Sequence, residues 1–249
     1  MKILVGIPSL YQDESPASWL TRAALTQGVR VESLMSHLML PKSSDPDLAM
    51  NGMVLWQAAT LAGIKTSEFK FAEHMFSGLK KIDPKGHRFL LWTKNGNPRY
   101  RFCPFCLNEA YIKYFPLHWR FSAWCWCPKH DCLMYEYCPH CNNEISLPGS
   151  MFFAGKNKIG VPYLNRCLKC GERLDDNLNF IPHPIADGLT KDWDQISIEN
   201  GRAVLSAIFH RKFSLSNKSS EQPLIKLLNL KNMGILPHSL ESFSFHSLI

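Results

Sequence analysis

Four short runs of soft metal ligands stand in tandem near the middle of the chain: Cys103-Pro-Phe-Cys106, Cys127-Pro-Lys-His130, Cys138-Pro-His-Cys141 and Cys167-Leu-Lys-Cys170. A Cys-x-x-Cys turn sets two thiolates on one side of a tight loop, and two such turns supply the four donors that tetrahedral zinc takes. The spacing predicts two Zn2+ ions, one held by Cys103, Cys106, Cys127 and His130, the other by Cys138, Cys141, Cys167 and Cys170. Four protein ligands leave no position for an activated water, so both ions are expected to be structural. Two of the nine cysteines, Cys125 and Cys132, remain over. Cys125 competes with Cys127 as a ligand, but Cys127-Pro128-Lys129-His130 repeats the geometry of Cys103 to Cys106, so Cys125 and Cys132 are expected as buried free thiols. Disulfides are the competing use of the cysteines. They need an oxidising compartment, and Met1 to Pro8 hold no apolar run of signal-peptide length, which points to a cytoplasmic setting.

Sites of this kind need a scaffold, and the composition allows one. A chain of 249 residues with 45% hydrophobic residues and seven tryptophans can bury one or two cores. No window approaches the roughly 20 apolar residues of a membrane-spanning helix. The formal charge of +7 favours an anionic partner, double-stranded DNA first. Lys156, Lys158, Arg166, Arg202, Arg211 and Lys212 are the candidate nucleic-acid contacts. The chain carries no His-Glu-x-x-His, no nucleophile motif and no carboxylate cluster beyond Asp175-Asp176 and Asp192/Asp194, which read as loop and cap residues, so it is not expected to be an enzyme.

The expected fold is mainly α with small β zinc ribbons, in three parts: a helical domain over 1–100, tandem zinc modules over 101–182 and a helical region over 183–249. Ser15 is an N-cap candidate with Pro16 at the first helical position, and Trp19, Leu20, Ala23 and Ala24 follow at helical spacing to Gly28. Further helices are expected over Val31 to Leu40 and from Asn51-Gly52 to Gly63. A restart at Ser67 gives a helix-turn-helix outline that turns Lys70, Glu73, His74 and Lys80-Lys81 outward. Asn95-Gly96 is a hairpin turn. Trp119, Phe121, Trp124 and Trp126 are expected to pack on the first metal site. Glu144 to Leu147 and Val161 to Leu164 read as the strands of a ribbon, joined by a basic loop. Ile198 to Lys212 reads as a helix, Ser214 to Glu221 as a polar linker and Pro223 to Asn232 as a last short helix.

The order of features resembles the TniQ family, which includes TnsD, the target-selection proteins of bacterial transposons with a multi-subunit machinery. The resemblance is carried by Pro8, Asp13-Glu14-Ser15 and Ser18-Trp19-Leu20-Thr21-Arg22, then by Phe102-Cys103-Pro104-Phe105-Cys106-Leu107, Trp119, Cys127-Pro128-Lys129-His130, Leu133 and Cys138-Pro139-His140-Cys141. It implies an N-terminal helix-turn-helix domain followed by zinc fingers. It implies also an adaptor that marks target DNA and recruits an AAA+ ATPase regulator of the TnsC type. Some members bind a fixed chromosomal site, while others ride on a CRISPR effector such as Cascade or a Cas12k-type protein. A second copy of the chain is a further partner that amphipathic helices allow. The competing reading is a zinc-ribbon transcriptional regulator that uses the helix-turn-helix to bind an operator.

Overall fold

The computed structural model describes residues 3–41, 45–151, 163–176, 191–215 and 220–233. Ser15 starts the first helix: its Oγ accepts the amide of Ser18 at 3.1 Å and Pro16 fills the first turn, so α1 runs Pro16–Thr26. Helix α2 covers Val31–His37 and stops short of the expected Leu40, because Met39 takes a left-handed conformation at φ 59°. A single turn, α3 (Pro46–Ala49), is capped by the Asp45 carboxylate. It was not foreseen. Helix α4 (Gly52–Ala62) ends at left-handed Gly63, and a 3-10 turn over Thr66–Phe69 leads into α5 (Lys70–Lys80).

Beyond α5 the regular structure is sparse. Strand β1 (Arg99–Tyr100), helix α6 (Pro104–Glu109), β2 (Trp126–Cys127), β3 (Cys132–Leu133) and β4 (Ile145–Ser146) follow in order. The pairs β1·β4 and β2·β3 are antiparallel. The expected ribbon strand around Ile145 is present, but its partner is Tyr100 and not the Val161 to Leu164 segment. Of that segment residues 161–162 lie outside the described residues, and Tyr163–Leu164 are not strand. A hairpin forms at Asn95-Gly96, but with a three-residue loop over 94–96 in place of the expected tight turn: Gly96 N donates to Thr93 O at 2.9 Å and Thr93 N to Asn97 O at 2.8 Å. Helix α7 (Lys191–His210) leads into β5 (Lys212–Phe213), which pairs with β6 (Gln222–Pro223) ahead of α8 (Leu227–Met233). The architecture is mainly helical with small antiparallel strand pairs.

Trp19, Leu20 and Ala59 anchor one apolar cluster among the N-terminal helices. A second cluster runs without a break from Phe76 of α5 through Phe102, Leu117 and Phe121 to Leu205 and Ile208 of α7. Helix α7 lies so close to α5 that a Cβ on Gly78 would stand 2.7 Å from the Ile208 carbonyl oxygen. This packing changes the expected outward face of α5. Lys70 and Lys81 are exposed, but His74 Nε2 sits 2.7 Å from Phe209 O and Lys80 Nζ donates to Leu48 O at 3.3 Å. Glu73 accepts the amide of Gly52 at 2.9 Å. Tertiary burial has taken the middle of the face that helical periodicity assigned to solvent.

Polar residues at the start of α1 are as buried as the core: Glu14, Ser15, Ser18 and Thr21 are all at 0% exposure. Such burial costs free energy unless every group finds a partner. The partners lie about a hundred residues away. Ser15 N donates to Phe115 O at 3.1 Å, Phe115 N donates to Ser18 Oγ at 2.9 Å, and Leu117 N donates to Asp13 O at 2.7 Å. Thr21 Oγ1 accepts from Gly149 N at 3.1 Å. Arg22 reaches Glu14 at 2.6 Å, while burial still raises the Glu14 carboxyl above the usual carboxylate range.

A charged group completes this join. The fully buried guanidinium of Arg120 pairs with Asp45 at 2.7 Å and with Asp47 at 3.5 Å, and it lies 4.7 Å from the Trp92 ring centre. The Tyr100 hydroxyl is hydrogen-bonded to Asp47 and to Ser15 Oγ. One cation faces two carboxylates. Burial, and next the Asp45 charge, push the Asp47 carboxyl up to about 7. Asp47 titrates near 3.8 when exposed, so its contribution to stability is full below that value and is lost as the pH rises through about 7. Denaturation between pH 5 and 8 should show the native chain losing stability relative to Asp47→Asn, and parallel curves would contradict this. Arg120→Ala leaves the Asp45 carboxylate buried without its cation and should destabilise by about 3–5 kcal/mol.

Candidate metal centres

Each cluster is built from two tight turns. Cys103 caps α6 from its N-terminal side and Cys106 lies in its first turn; Cys127 ends β2, and His130 stands in the turn joining β2 to β3. The four donor atoms lie within 4.8 Å of one another. His130 Nδ1 is 3.4 Å from Cys103 Sγ, 3.2 Å from Cys106 Sγ and 3.6 Å from Cys127 Sγ, and Cys106 and Cys127 are 3.6 Å apart. A tetrahedral zinc with Zn–S of about 2.3 Å and Zn–N of about 2.05 Å requires S···S near ~3.8 Å and S···N near ~3.5 Å. The cluster fits.

The outer contacts fit too. His130 Nε2 lies 2.9 Å from Glu109 Oε1, the carboxylate–histidine arrangement that aims the other ring nitrogen at a metal. Lys129, 2.6 Å away, and then His130 hold the Glu109 carboxyl below its ordinary range. In the second cluster Cys138 and Cys170 are 3.7 Å apart, as are Cys141 and Cys167, with all four donors again within 4.8 Å. Its turns carry the backbone bonds of tight knuckles: Asn142 N donates to Cys138 O at 2.8 Å and Gly171 N to Cys167 O at 2.9 Å. Asn143 Nδ2 lies 3.3 Å from Cys141 Sγ, where it stabilises a thiolate. The two donor sets suit a soft four-coordinate ion with no water position.

The aromatic sheath expected around the first cluster exists in part. Trp119 and Trp124, with Tyr114 and His118, wall a cavity of about 250 Å³ that reaches Cys106 and Cys127, with Asp13 and Arg202 also on its lining. Phe121 is in the apolar core against Phe76, and Trp126 Nε1 donates to Asp131 at 3.0 Å. Of the six basic residues singled out from the sequence, the four that are described have separate surroundings. Arg166 donates to Gly171 O at 2.9 Å, Arg211 to Ser77 Oγ at 3.1 Å and to His74 O at 3.3 Å, and Lys212 pairs with Glu221 at 2.7 Å. Arg202 is exposed at the cavity. Lys156 and Lys158 lie outside the described residues.

Two groups were not foreseen: the buried set Glu14, Ser18 and Thr21, which enters only as part of a family signature, and Arg120 with Asp45 and Asp47, for which no local signal exists. Cys132 is the buried free thiol expected of it, its Sγ 3.8 Å from Cys103 Sγ, whereas Cys125 is only half-buried.

The family model described as TniQ matches residues 6–134, which cover α1, the buried polar join and the first cluster but not the second. No curated protein matches the chain.

Freshly purified protein should carry two zinc ions, and Cys103→Ser or Cys138→Ser should each lose one and unfold its module. In zinc-finger peptides the ion contributes on the order of 10–16 kcal/mol to folding. Fewer than about one zinc per chain by elemental mass spectrometry would contradict the assignment.

Proposed function

The chain belongs to the TniQ family of transposition-associated proteins, and from that premise we propose that it is a non-enzymatic adaptor in target-site selection. It links target DNA, or a DNA-targeting complex such as a CRISPR effector, to an AAA+ regulator of transposition. The observation that carries this reading is the join itself: the matched family segment contains both the Asp13 to Arg22 latch and the Phe115 to Leu117 stretch it grips. A rigid connection between a helical platform and a metal-held module suits a protein whose work is to hold two partners in fixed relation. Four-donor clusters without a water position support scaffolding over catalysis.

The protein-facing surface is assigned to the N-terminal helices. Met53 and Trp56 on α4 are 68% and 57% exposed, one turn apart, as anchors that a helical face offers a partner. DNA contact is assigned to the basic residues, with Arg202 the member held by no other described residue. The operator-binding regulator is the weaker reading, because His74, in the middle of the face of α5 that a helix-turn-helix would present to a major groove, is held by the end of α7.

Trp56→Ala together with Met53→Ala should weaken capture of an AAA+ transposition ATPase by tenfold or more in co-precipitation, with zinc content unchanged. Equal capture by variant and native chain would move the docking surface elsewhere. Binding to duplex DNA should weaken with salt at a log–log slope of about −0.9 per phosphate neutralised, and Arg202→Ala should reduce the slope by about one. A flat salt response would mean that the basic excess does not touch phosphate.

A further inference from the structure

Five soft donors surround the first cluster, one more than a tetrahedral ion takes. Cys132 is the cross-strand partner of Cys127 in the β2·β3 hairpin, which places both side chains on one face. Its Sγ stands 3.8 Å from Cys103 Sγ, about the ~3.8 Å separation of two thiolates on one zinc. The two sides of the cluster differ. Cys132 is 6% exposed and packs in the apolar core, whereas His130 stands in the hairpin turn with its outer nitrogen tied to the half-exposed Glu109.

We propose that Cys132 is a reserve ligand of the first metal centre, placed to take the position of His130 and close a four-thiolate set with Cys103, Cys106 and Cys127. The inference rests on the first cluster being a zinc site. No electron moves in the exchange: the Cys132 thiol gives its proton to the departing imidazole or to water, its sulfur forms the new bond to the metal, and the bond to His130 Nδ1 breaks. Exchange frees the turn of residues 128–131 from the metal while the ion keeps the module closed.

The test uses the full chain in four forms: native, His130→Ala, Cys132→Ser and the double variant. Zinc is counted by elemental mass spectrometry, and donor type is read from the visible and charge-transfer bands after cobalt substitution. Two zincs are expected in the native chain and in each single variant, and one in the double variant. In His130→Ala the cobalt bands of the first centre should shift from a three-sulfur, one-nitrogen to a four-sulfur pattern, and Cys132 should become protected from alkylation. Loss of a zinc from His130→Ala as complete as in the double variant would overturn the proposal. Loss of a zinc from Cys132→Ser alone would overturn it differently, by making Cys132 the resident ligand. Should His130→Ala fail to fold, His130→Gln, which keeps a polar side chain toward Glu109, carries the same comparison. Failure of both to yield a zinc-loaded chain counts against a reserve ligand. Fewer than two zincs in the native chain would instead remove the metal reading on which the inference stands.

Discussion

Thiolates packed 3.6–3.7 Å apart repel one another, and neutral thiols at that distance are weak hydrogen-bond partners. Only a cation between them turns such a cluster into a favourable arrangement, and the rest of the structure depends on that constraint. Among the described residues between β1 and the end of the second knuckle, the named elements are strands of two residues, a six-residue helix and a short 3-10 turn. Ladders so short contribute few hydrogen bonds and cannot set the path of the chain alone. The two donor clusters, each able to hold a metal ion, bring Cys103 to Cys127 and Cys138 to Cys170, and the aromatic residues carried between those ligands have fixed neighbours.

Phe115 to Leu117, carried between Cys106 and Cys127, lie at the start of α1. There the Ser15 amide donates to Phe115 O, the Ser18 hydroxyl accepts from Phe115 N and the Asp13 carbonyl accepts from Leu117 N. Asp45, Asp47, Tyr100 and Arg120 close the other side of the same join with one buried cation against two carboxylates, one of which holds a proton into the neutral range. The arrangement gives specificity of docking more than net stability, since two ions removed from water regain little beyond their desolvation cost. Helix α7 then packs over α5 and the Trp124 region, touching at Gly78 and Gly201.

Much of this was legible in the sequence because the signals are local. Ser15-Pro16 marks a helix start by cap chemistry, Gly63 marks a stop, and the Cys-x-x-Cys spacings draw eight donors into two clusters without reference to anything distant. What was not legible depends on long-range contact. Periodicity turned His74 outward, and the arrival of α7 leaves it half-buried against Phe209. The strand at Ile145 was recognised by its apolar alternation, but a two-residue strand carries no sign of its partner, and Tyr100 took the place expected for residue 163 or 164. Asp45, Asp47 and Arg120 are separated by more than seventy residues, and no pattern in one sequence links an aspartate pair to a distant arginine. Cys132 was left over because the four half-sites already account for eight ligands; the hairpin that makes it a neighbour of Cys127 is itself only two residues deep.

An ion held by the first cluster should keep the α1 latch in place. Amide hydrogen exchange resolves this directly, comparing the zinc-loaded chain with the same chain after chelation at the first cluster. Protection should be lost together at the amides of Ser15, Ser18, Phe115 and Leu117 when the ion leaves, although none of these residues belongs to the ligand set. Unchanged protection of those four amides in a chain shown to have lost the first zinc would contradict it.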